Sequence, residues 1–250
     1  MDGKSATLPV TEQLLVFEGT ENITFDGVKF EDTSWLTPNE IGYNDAQSGT
    51  YAQHNGVWGD VPGAIETHAA KNITITNSEL RNLGIGGIRI GNGSSDCAIT
   101  NSAIHDISSS GIFIGNNTGH NHGYCDPGTD VTGVVVRNNY ITRTGLDIFG
   151  SSAICALYTS DTVIDHNEVC YTTYTGISLG WGWDWKNAPC SGNNTVSNNY
   201  IHDTGKTIHD GGSFYSLGLQ EGTKVFGNYL HHHSDGLYDK DGGLYTDEGS

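Results

Sequence analysis

The chain has 250 residues, 35 of them Gly and only 5 Pro, and its 29 acidic residues outnumber 11 Lys and Arg to give a formal charge of −18. Such a surface repels nucleic acid and anionic lipid because it cannot neutralise phosphates, so neither is expected as a partner. No apolar run approaches the roughly 18 residues of a membrane span, and the opening MDGKSATLPV lacks the apolar core of a signal peptide.

One template recurs along the chain. A short alternating strand leads into Asn-rich polar residues and one apolar residue, and a turn, a Gly and a second alternating strand follow. The first strands begin at Asn22, Asn72, Cys97, Val134, Thr162, Thr195 and Lys224. The apolar residues that follow them are Phe30, Leu80, Ile104, Ile141, Val169, Ile201 and Leu230. This recurrence predicts a repeating structural unit.

The length of the unit predicts a parallel β-helix. Successive apolar markers are separated by as few as 24 residues, from Leu80 to Ile104, and by as many as 50, from Phe30 to Leu80. Each unit holds two or three strands of period 2, and no stretch has the 3.6-residue period of a helix. We therefore predict an all-β solenoid of about seven rungs with loop insertions, formed as a single domain by residues 1–250.

The second strand of each repeat predicts which side chains leave the core. Aliphatic residues such as Ile88 and Ile90 point inward, and the residues between them point outward. The predicted outward column is Glu66, Arg89, Phe113, Cys155, Ser178, Tyr215 and Tyr245. The column one step further on is His68, Gly91, Gly115, Leu157, Gly180, Leu217 and Asp247. This face becomes aromatic and acidic toward the C-terminus.

Three insertions interrupt the repeats, between Asp32 and Gly59, between Asn116 and Asp130, and between Trp181 and Ser191. In a solenoid, insertions project from one face and often line the binding site. Each of these precedes or follows a second strand. We therefore expect them to wall a groove along the outward face.

Asparagine fills the predicted turns. Asn tolerates left-handed backbone, and its amide can hydrogen-bond along a stack at about 4.8 Å per rung. The turn residues are Asn138, Asn139, Asn167, Asn198, Asn199 and Asn228. We expect them to be structural.

Cysteine and histidine show no metal-ligand spacing. The five cysteines are an odd number, so at least one thiol is unpaired, and most are expected to be small buried hydrophobes. Pairing of Cys125 with Cys190, both in loops, stays open. The run from His231 to His233 places three side chains in succession rather than two on one face. The sequence predicts no metal and no cofactor.

Aromatic rings and carboxylates gather near the C-terminal end. The run GWGWDW contributes Trp181, Trp183 and Trp185, and the acids are Asp210, Asp241, Asp247 and Glu248. Rings that stack on sugar faces, beside paired acids that cleave a glycosidic bond, are typical of a carbohydrate site. A packed loop anchor explains the Trp run equally well, and Asp210 and Asp241 can be turn residues of successive rungs.

Five stretches carry a resemblance over nearly the whole chain. They are EQLLVFEGTENITFDGVKFEDTSWL (12–36), GIGGIRIGNGSSDCAITNSAIHDISSSGI (84–112), DTVIDHNEVCYTTYTGISLGWGW (161–183), TIHDGGSFYSLG (207–218) and GGLYTDEGS (242–250). They resemble the right-handed, pectin-lyase-like β-helix proteins of glycoside hydrolase family 141. Members of that family are secreted enzymes that act on plant-type polysaccharides, with fucosidase and xylanase activities. The resemblance implies a secreted hydrolase with a polysaccharide or oligosaccharide substrate.

The resemblance also implies a catalytic pair, Asp210 of HDGG and Asp247 of YTDEGS, with Asp241 and Glu248 as alternates. The residues expected to contact substrate are Trp181, Trp183, His209, Tyr215 and Tyr245. The predicted register sets Asp210 and Asp247 seven strand positions apart, up to about 23 Å in an extended chain. Carboxyl groups of glycosidases lie about 5–10 Å apart, so the chain must bend sharply at a Gly-Gly step.

Two other functions fit the same fold. A polysaccharide lyase or epimerase typically needs Ca²⁺ or cationic residues to neutralise a uronate, but the outward column holds only Arg89. A non-catalytic solenoid that binds glycans or proteins is the other alternative. Members of the family extend beyond both ends of the matching region, so the resemblance predicts a partial chain that folds in part, is weakly active or inactive, and tends to associate.

Overall fold

The strands form a parallel β-helix. A computed structural model describes residues 6–41, 44–52, 58–116, 128–182, 190–234 and 242–250, without the side chains of 41, 44–46, 51, 52 and 58. Within these ranges, three parallel sheets run along the solenoid, and every strand of these sheets pairs with strands one rung away.

The first sheet carries the second strand of each repeat. Its strands, in pairing order, are β1 (Leu15–Glu18), β7 (Gly63–His68), β10 (Gly86–Gly91), β13 (Ile112–Gly115), β17 (Ile154–Leu157), β21 (Ile177–Leu179), β24 (Gly212–Ser216) and β27 (Gly242–Thr246). The second sheet consists of β2 (Glu21–Asp26), β8 (Lys71–Thr76), β11 (Ala98–Thr100), β15 (Val135–Arg137), β19 (Val163–Asp165), β22 (Thr195–Ser197) and β25 (Lys224–Phe226).

The third sheet follows the Asn-rich turn. It consists of β3 (Lys29–Thr33), β9 (Glu79–Leu83), β12 (Ala103–Ile107), β16 (Tyr140–Thr144), β20 (Glu168–Cys170), β23 (Tyr200–Thr204) and β26 (Tyr229–His233). Two short strands, β14 (Val131–Thr132) and β18 (Thr159–Ser160), pair separately. The first insertion holds α1 (Thr37–Ile41) and an antiparallel sheet of β4 (Asn44–Ala46), β5 (Thr50–Ala52) and β6 (Trp58–Asp60).

The apolar markers stack in register, as predicted. Phe30 pairs with Leu80, and the column continues through Ile104, Ile141, Val169, Ile201 and Leu230. The first sheet contributes a second inward column of Ile65, Ile88, Ile112, Ile154, Ile177, Phe214 and Leu244. From Ile65 to Phe214 every member of this second column is at most 2% exposed. Burying such a side chain contributes about 1.5–3 kcal/mol, so each rung stabilises its neighbours.

The Asn turns form a ladder, which confirms their structural role. The amide nitrogen of Asn139 donates to Oδ1 of Asn167 at 3.0 Å, Asn167 donates to Asn199, and Asn199 donates to Asn228, both at 2.9 Å. Asn138, which precedes the ladder residue of its turn, has a φ of 56°. Left-handed backbone and amide stacking thus fall on adjacent residues of the turn.

The cysteines follow the predicted pattern in part. Cys97, Cys155 and Cys170 are free and buried. Cys190 is disulfide-bonded, whereas Cys125 lies outside the described residues. The described part of the chain contains no helix with the length and apolar character needed to cross a membrane.

Candidate functional site

The outward column of the first sheet has the predicted register, but its middle is not an open groove. Arg89 pairs with Phe113, Cys155 with Ser178, and Tyr215 with Tyr245. Phe113, Cys155, Ser178 and Tyr215 are all less than 5% exposed. The first insertion lies over Cys155, whose thiol donates to the carbonyl oxygen of Ser48 at 3.4 Å. The expected groove is therefore filled along these rungs, and the accessible acids lie at the C-terminal end.

Two stacked tyrosines form the centre of that end. The rings of Tyr215 and Tyr245 lie 5.4 Å apart between centroids, with an angle of 17° between their planes. The Tyr215 hydroxyl donates to Oδ2 of Asp247 at 2.6 Å. Asp247 itself is placed by the backbone, because its N–H donates to the carbonyl oxygen of Ser216 on the rung below.

Asp210 interacts with Tyr245 of this pair and with a third tyrosine, Tyr174. Its backbone carbonyl accepts a 2.9 Å hydrogen bond from the hydroxyl of buried Tyr174. Its side chain is hydrogen-bonded to Tyr245. The chain turns here, with a φ of 68° at Asp210. A Cβ on the next residue, Gly211, would lie 2.9 Å from the Tyr174 ring, so only glycine permits this close approach.

The chain turns at Asp210, directly before the Gly211-Gly212 step at which a sharp bend was predicted. Asp210 and Asp247 would lie far apart if the chain between them were extended. In the folded chain both carboxylates interact electrostatically with Tyr174 and Tyr245. Burial raises the pKa of Tyr174, and the charges of Asp210 and Asp247 raise it further. The pKa of Tyr245 is raised by the same causes. The two carboxylates therefore flank one cluster, which we call the tyrosine cluster (Tyr174, Tyr215 and Tyr245).

The tyrosines of this cluster are neutral donors. Burial raises the pKa of Tyr215 well above its ordinary value, and the hydrogen bond to Asp247 raises it further. A phenol that keeps its proton can donate to a carboxylate. The cluster can thus hold two carboxylates in fixed positions near solvent.

Gln47, in the first insertion, contacts this cluster and was not singled out from the sequence. Its side-chain amide donates to the Tyr174 hydroxyl at 3.2 Å. Gln47 and Tyr174 are 127 residues apart. The only sequence signal was that the insertion borders a second strand.

Trp181 does not present an open ring. Only 3% of its surface is exposed, and it packs with Tyr158, Cys190, Tyr215 and Leu217. This corrects the expectation that Trp181 stacks on a sugar, because a buried ring has no free face. Its burial fits the interpretation of the Trp run as a packed loop anchor. Trp183 and Trp185 lie outside the described residues.

The remaining candidates are Glu248, His209 and Asp241. Glu248 is exposed in the turn after Asp247, and its carbonyl accepts the N–H of Gly218. His209 is partly buried in the loop before Asp210. Asp241 lies outside the described residues. Among the sequence candidates that the structure describes, Asp210, Asp247, Tyr215 and Tyr245 come together.

A charged cluster occupies the N-terminal part of the same column. Arg89 contacts Asp60 at 2.6 Å and Glu66 at 3.2 Å, and the side chains of all three are at most 13% exposed. Asp60 was not singled out from the sequence. Because both carboxylates neutralise Arg89, this guanidinium serves a structural role.

Known proteins share this architecture. A family model described as a right handed beta helix region matches residues 63–250, which confirms the predicted hand of the solenoid. A solved structure described as a glycoside hydrolase is 28% identical, with a TM-score of 0.82, over 97% of this chain and 46% of that one. The chain thus spans about half the length of that protein. No curated protein matches the chain.

Two further solved structures are similar in fold alone. XylC in complex with xylose is 13% identical, with a TM-score of 0.56, over 89% of this chain and 34% of that one. Alginate lyase from Paenibacillus sp. str. FPU-7 is 14% identical, with a TM-score of 0.52, over 92% of this chain and 74% of that one.

Proposed function

The chain belongs to the family of right-handed β-helix regions, and from this premise we propose that it carries the catalytic site of a glycoside hydrolase. The substrate would be a plant-type or algal polysaccharide, or an oligosaccharide derived from one. Membership of glycoside hydrolase family 141, with a fucosidase- or xylanase-like activity and a secreted location, is part of this proposal.

The observation that carries the proposal is the attachment of Asp210 and Asp247 to one tyrosine cluster. Glycosidases generally use two carboxyl groups, one that protonates the leaving oxygen and one that acts as nucleophile or activates water. Fixed hydrogen-bond donors hold such a pair in place without rearrangement during the reaction. Tyr215 donates to Asp247, and Tyr245 is hydrogen-bonded to Asp210. In this proposal Tyr215, Trp181 and Tyr174 position the acids, whereas Tyr245 and His209 border the substrate.

The similarity to a glycoside hydrolase over 97% of the chain supports a hydrolase over the alternatives. A lyase or epimerase that acts on uronates would need a cation free to neutralise the acid sugar. Arg89 does not fit that role because Asp60 and Glu66 already neutralise it. A non-catalytic glycan-binding solenoid remains the alternative that experiment must exclude.

The test compares Asp210→Asn, Asp247→Asn and Glu248→Gln in the full-length protein on a panel of plant and algal glycans. Loss of a general acid or base costs on the order of 10²–10⁴ in rate, so both Asn variants should lose turnover by that factor. Glu248→Gln is the matched control, because its exposed carboxylate is adjacent in sequence, and it should keep turnover.

Unchanged turnover in both Asn variants would refute the catalytic assignment. Glycan binding without any turnover by the wild type would favour the non-catalytic alternative. An unsaturated product that absorbs in the ultraviolet, lost on chelation, would point to a lyase.

A further inference from the structure

On the outer face of the third sheet, separate from the tyrosine cluster, we propose a binding site for a divalent transition-metal ion formed by Glu168, Cys170 and His202. The ion that best fits these ligands is Zn²⁺. The site does not depend on the function proposed above.

Two adjacent rungs bring the three ligands together. Glu168 and Cys170 alternate on β20, so both side chains leave the same face, and Cys170 pairs in register with His202 on β23. One ligand atom from each residue lies within 4.8 Å of the other two. Nε2 of His202 lies 3.4 Å from Oε1 of Glu168.

Thiolate, imidazole and carboxylate are the three protein ligands of zinc. With Zn–S of about 2.3 Å and Zn–N or Zn–O of about 2.0–2.2 Å, tetrahedral ligand atoms lie roughly 3.3–3.7 Å apart. The separation of Nε2 from Oε1 already falls in this range. Side-chain movements of about 1 Å would bring the widest pair into it, and a water molecule would complete the four ligands.

His202 is oriented for this role by its neighbour. Its Nδ1 contacts Oδ2 of Asp203 at 2.9 Å, and Lys206 contacts the other carboxylate oxygen at 3.2 Å. With the ring hydrogen on Nδ1 toward Asp203, Nε2 presents its lone pair on the side of Glu168. Histidine ligands of zinc typically donate their second N–H to a carboxylate in this way.

Access and charge also favour a cation. The Glu168 side chain is 45% exposed, His202 is 11% exposed, and Cys170 is buried behind them. The carboxylates of Glu168 and Asp203 lie close enough to the Cys170 thiol to interact with it electrostatically, so the site is negatively charged. As the Zn–S bond forms, the S–H bond of Cys170 breaks and its proton passes to solvent.

The three ligands could not be predicted from local spacing. Glu168 and His202 are 34 residues apart, and the sequence predicted no metal. The neighbouring pair of His231 and His232, whose Nδ1 atoms are in contact, is the alternative zinc site that the test must separate.

The test measures zinc uptake by the intact protein. Protein stripped with a chelator is dialysed against Zn²⁺, and the bound metal is counted by elemental mass spectrometry. We expect one Zn²⁺ per chain in the wild type, in the control Cys97→Ser, whose buried thiol lies beside the second sheet, and in His232→Gln. Cys170→Ser and His202→Gln should lose that ion. Asp203→Asn should bind about 10–100-fold more weakly.

Co²⁺ gives an independent readout in the unmutated protein. We expect a thiolate-to-cobalt charge-transfer band in the wild type that is absent from Cys170→Ser. Absence of that band from the wild type, or undiminished Zn²⁺ uptake by Cys170→Ser, would overturn the proposal. Loss of uptake in His232→Gln alone would overturn it as well, because it would move the ion to the histidine run.

Discussion

The hydroxyl of Tyr215 donates a 2.6 Å hydrogen bond to the carboxylate of Asp247, which lies on the next rung of the solenoid. The bond ties an accessible acid to a side chain that is only 4% exposed. Its donor is fixed in turn by stacking on Tyr245. The position of Asp247 therefore depends on a phenol that is almost wholly buried.

Replacement of Tyr215 by Phe should lower turnover without unfolding the protein. The ring still stacks on Tyr245, but Asp247 loses its donor. A hydrogen bond to a charged group is worth about 1.5–3 kcal/mol, so on the hydrolase function proposed above we expect kcat to fall roughly 10–100-fold. Tyr171→Phe is the control, because Tyr171 is exposed on another face. Equal kcat values for the two variants would contradict a positioning role for Tyr215.

The bend before β24 should tolerate no side chain at Gly211. A Cβ there would lie 2.6 Å from Oγ1 of Thr175, whereas a Cβ on Gly243 would meet nothing closer than 3.7 Å. We expect Gly211→Ala to cost about 1–3 kcal/mol in unfolding free energy through overpacking, and to reduce turnover by displacing Asp210. Gly243→Ala should change the unfolding free energy little. The two variants are compared by chemical denaturation, and equal midpoints would show that the bend is not tightly packed.

The Asn ladder should contribute to stability chiefly where it is buried. Asn167→Ala removes the acceptor of both the backbone N–H and the side-chain amide of Asn139. A buried donor left without a partner costs about 1–3 kcal/mol, so we expect a loss of about 2–4 kcal/mol in unfolding free energy. Asn138→Gly removes an exposed bond to Asn101 and keeps the left-handed backbone, so it should cost far less. A similar loss in both variants would contradict the ladder as the cause.

The ion pair of Asp106 with Arg143 should make stability depend on pH in the acid range. Nε of Arg143 contacts Oδ1 of Asp106 at 2.6 Å. The hydrogen bond from Arg143, followed by that from His105, lowers the pKa of Asp106 from its ordinary 3.8 to about 2. Because the folded-state pKa is depressed, the contribution is fully present above about pH 4. It is lost as the pH falls through about 2.

We therefore expect Asp106→Asn to be less stable than the wild type at pH 6 by about 1 kcal/mol, since the pair is partly exposed. The difference should vanish as the pH falls below about 2. Denaturation of both proteins across this range checks the prediction, and adding Arg143→Gln to the Asp106→Asn variant should cost nothing further. A stability difference that stays constant down to pH 2 would contradict the ion pair as its source.

Much of the candidate site could not be predicted from the sequence, because it depends on contacts between distant segments. The catalytic candidates Asp210 and Asp247 came from a resemblance, and their roles stay a prediction. The sequence did not identify Gln47 and Tyr174 as part of the site, because each contributes through a contact between distant segments. The Trp run shows the same limit, since its composition fitted a sugar platform and a packed anchor equally, and only the burial of Trp181 separates them.

The amino-acid sequence by itself determined the rungs, the inward and outward columns and the pairing of Tyr215 with Tyr245. Strand alternation and repeat spacing are local, and stacking carries their register from one rung to the next. The tertiary structure alone decided which outward positions are covered, that the chain turns at Asp210, and which side chains of distant segments meet, such as Gln47 and Tyr174. The paths of the insertions and these contacts depend on packing between segments far apart in the chain, which no local pattern encodes.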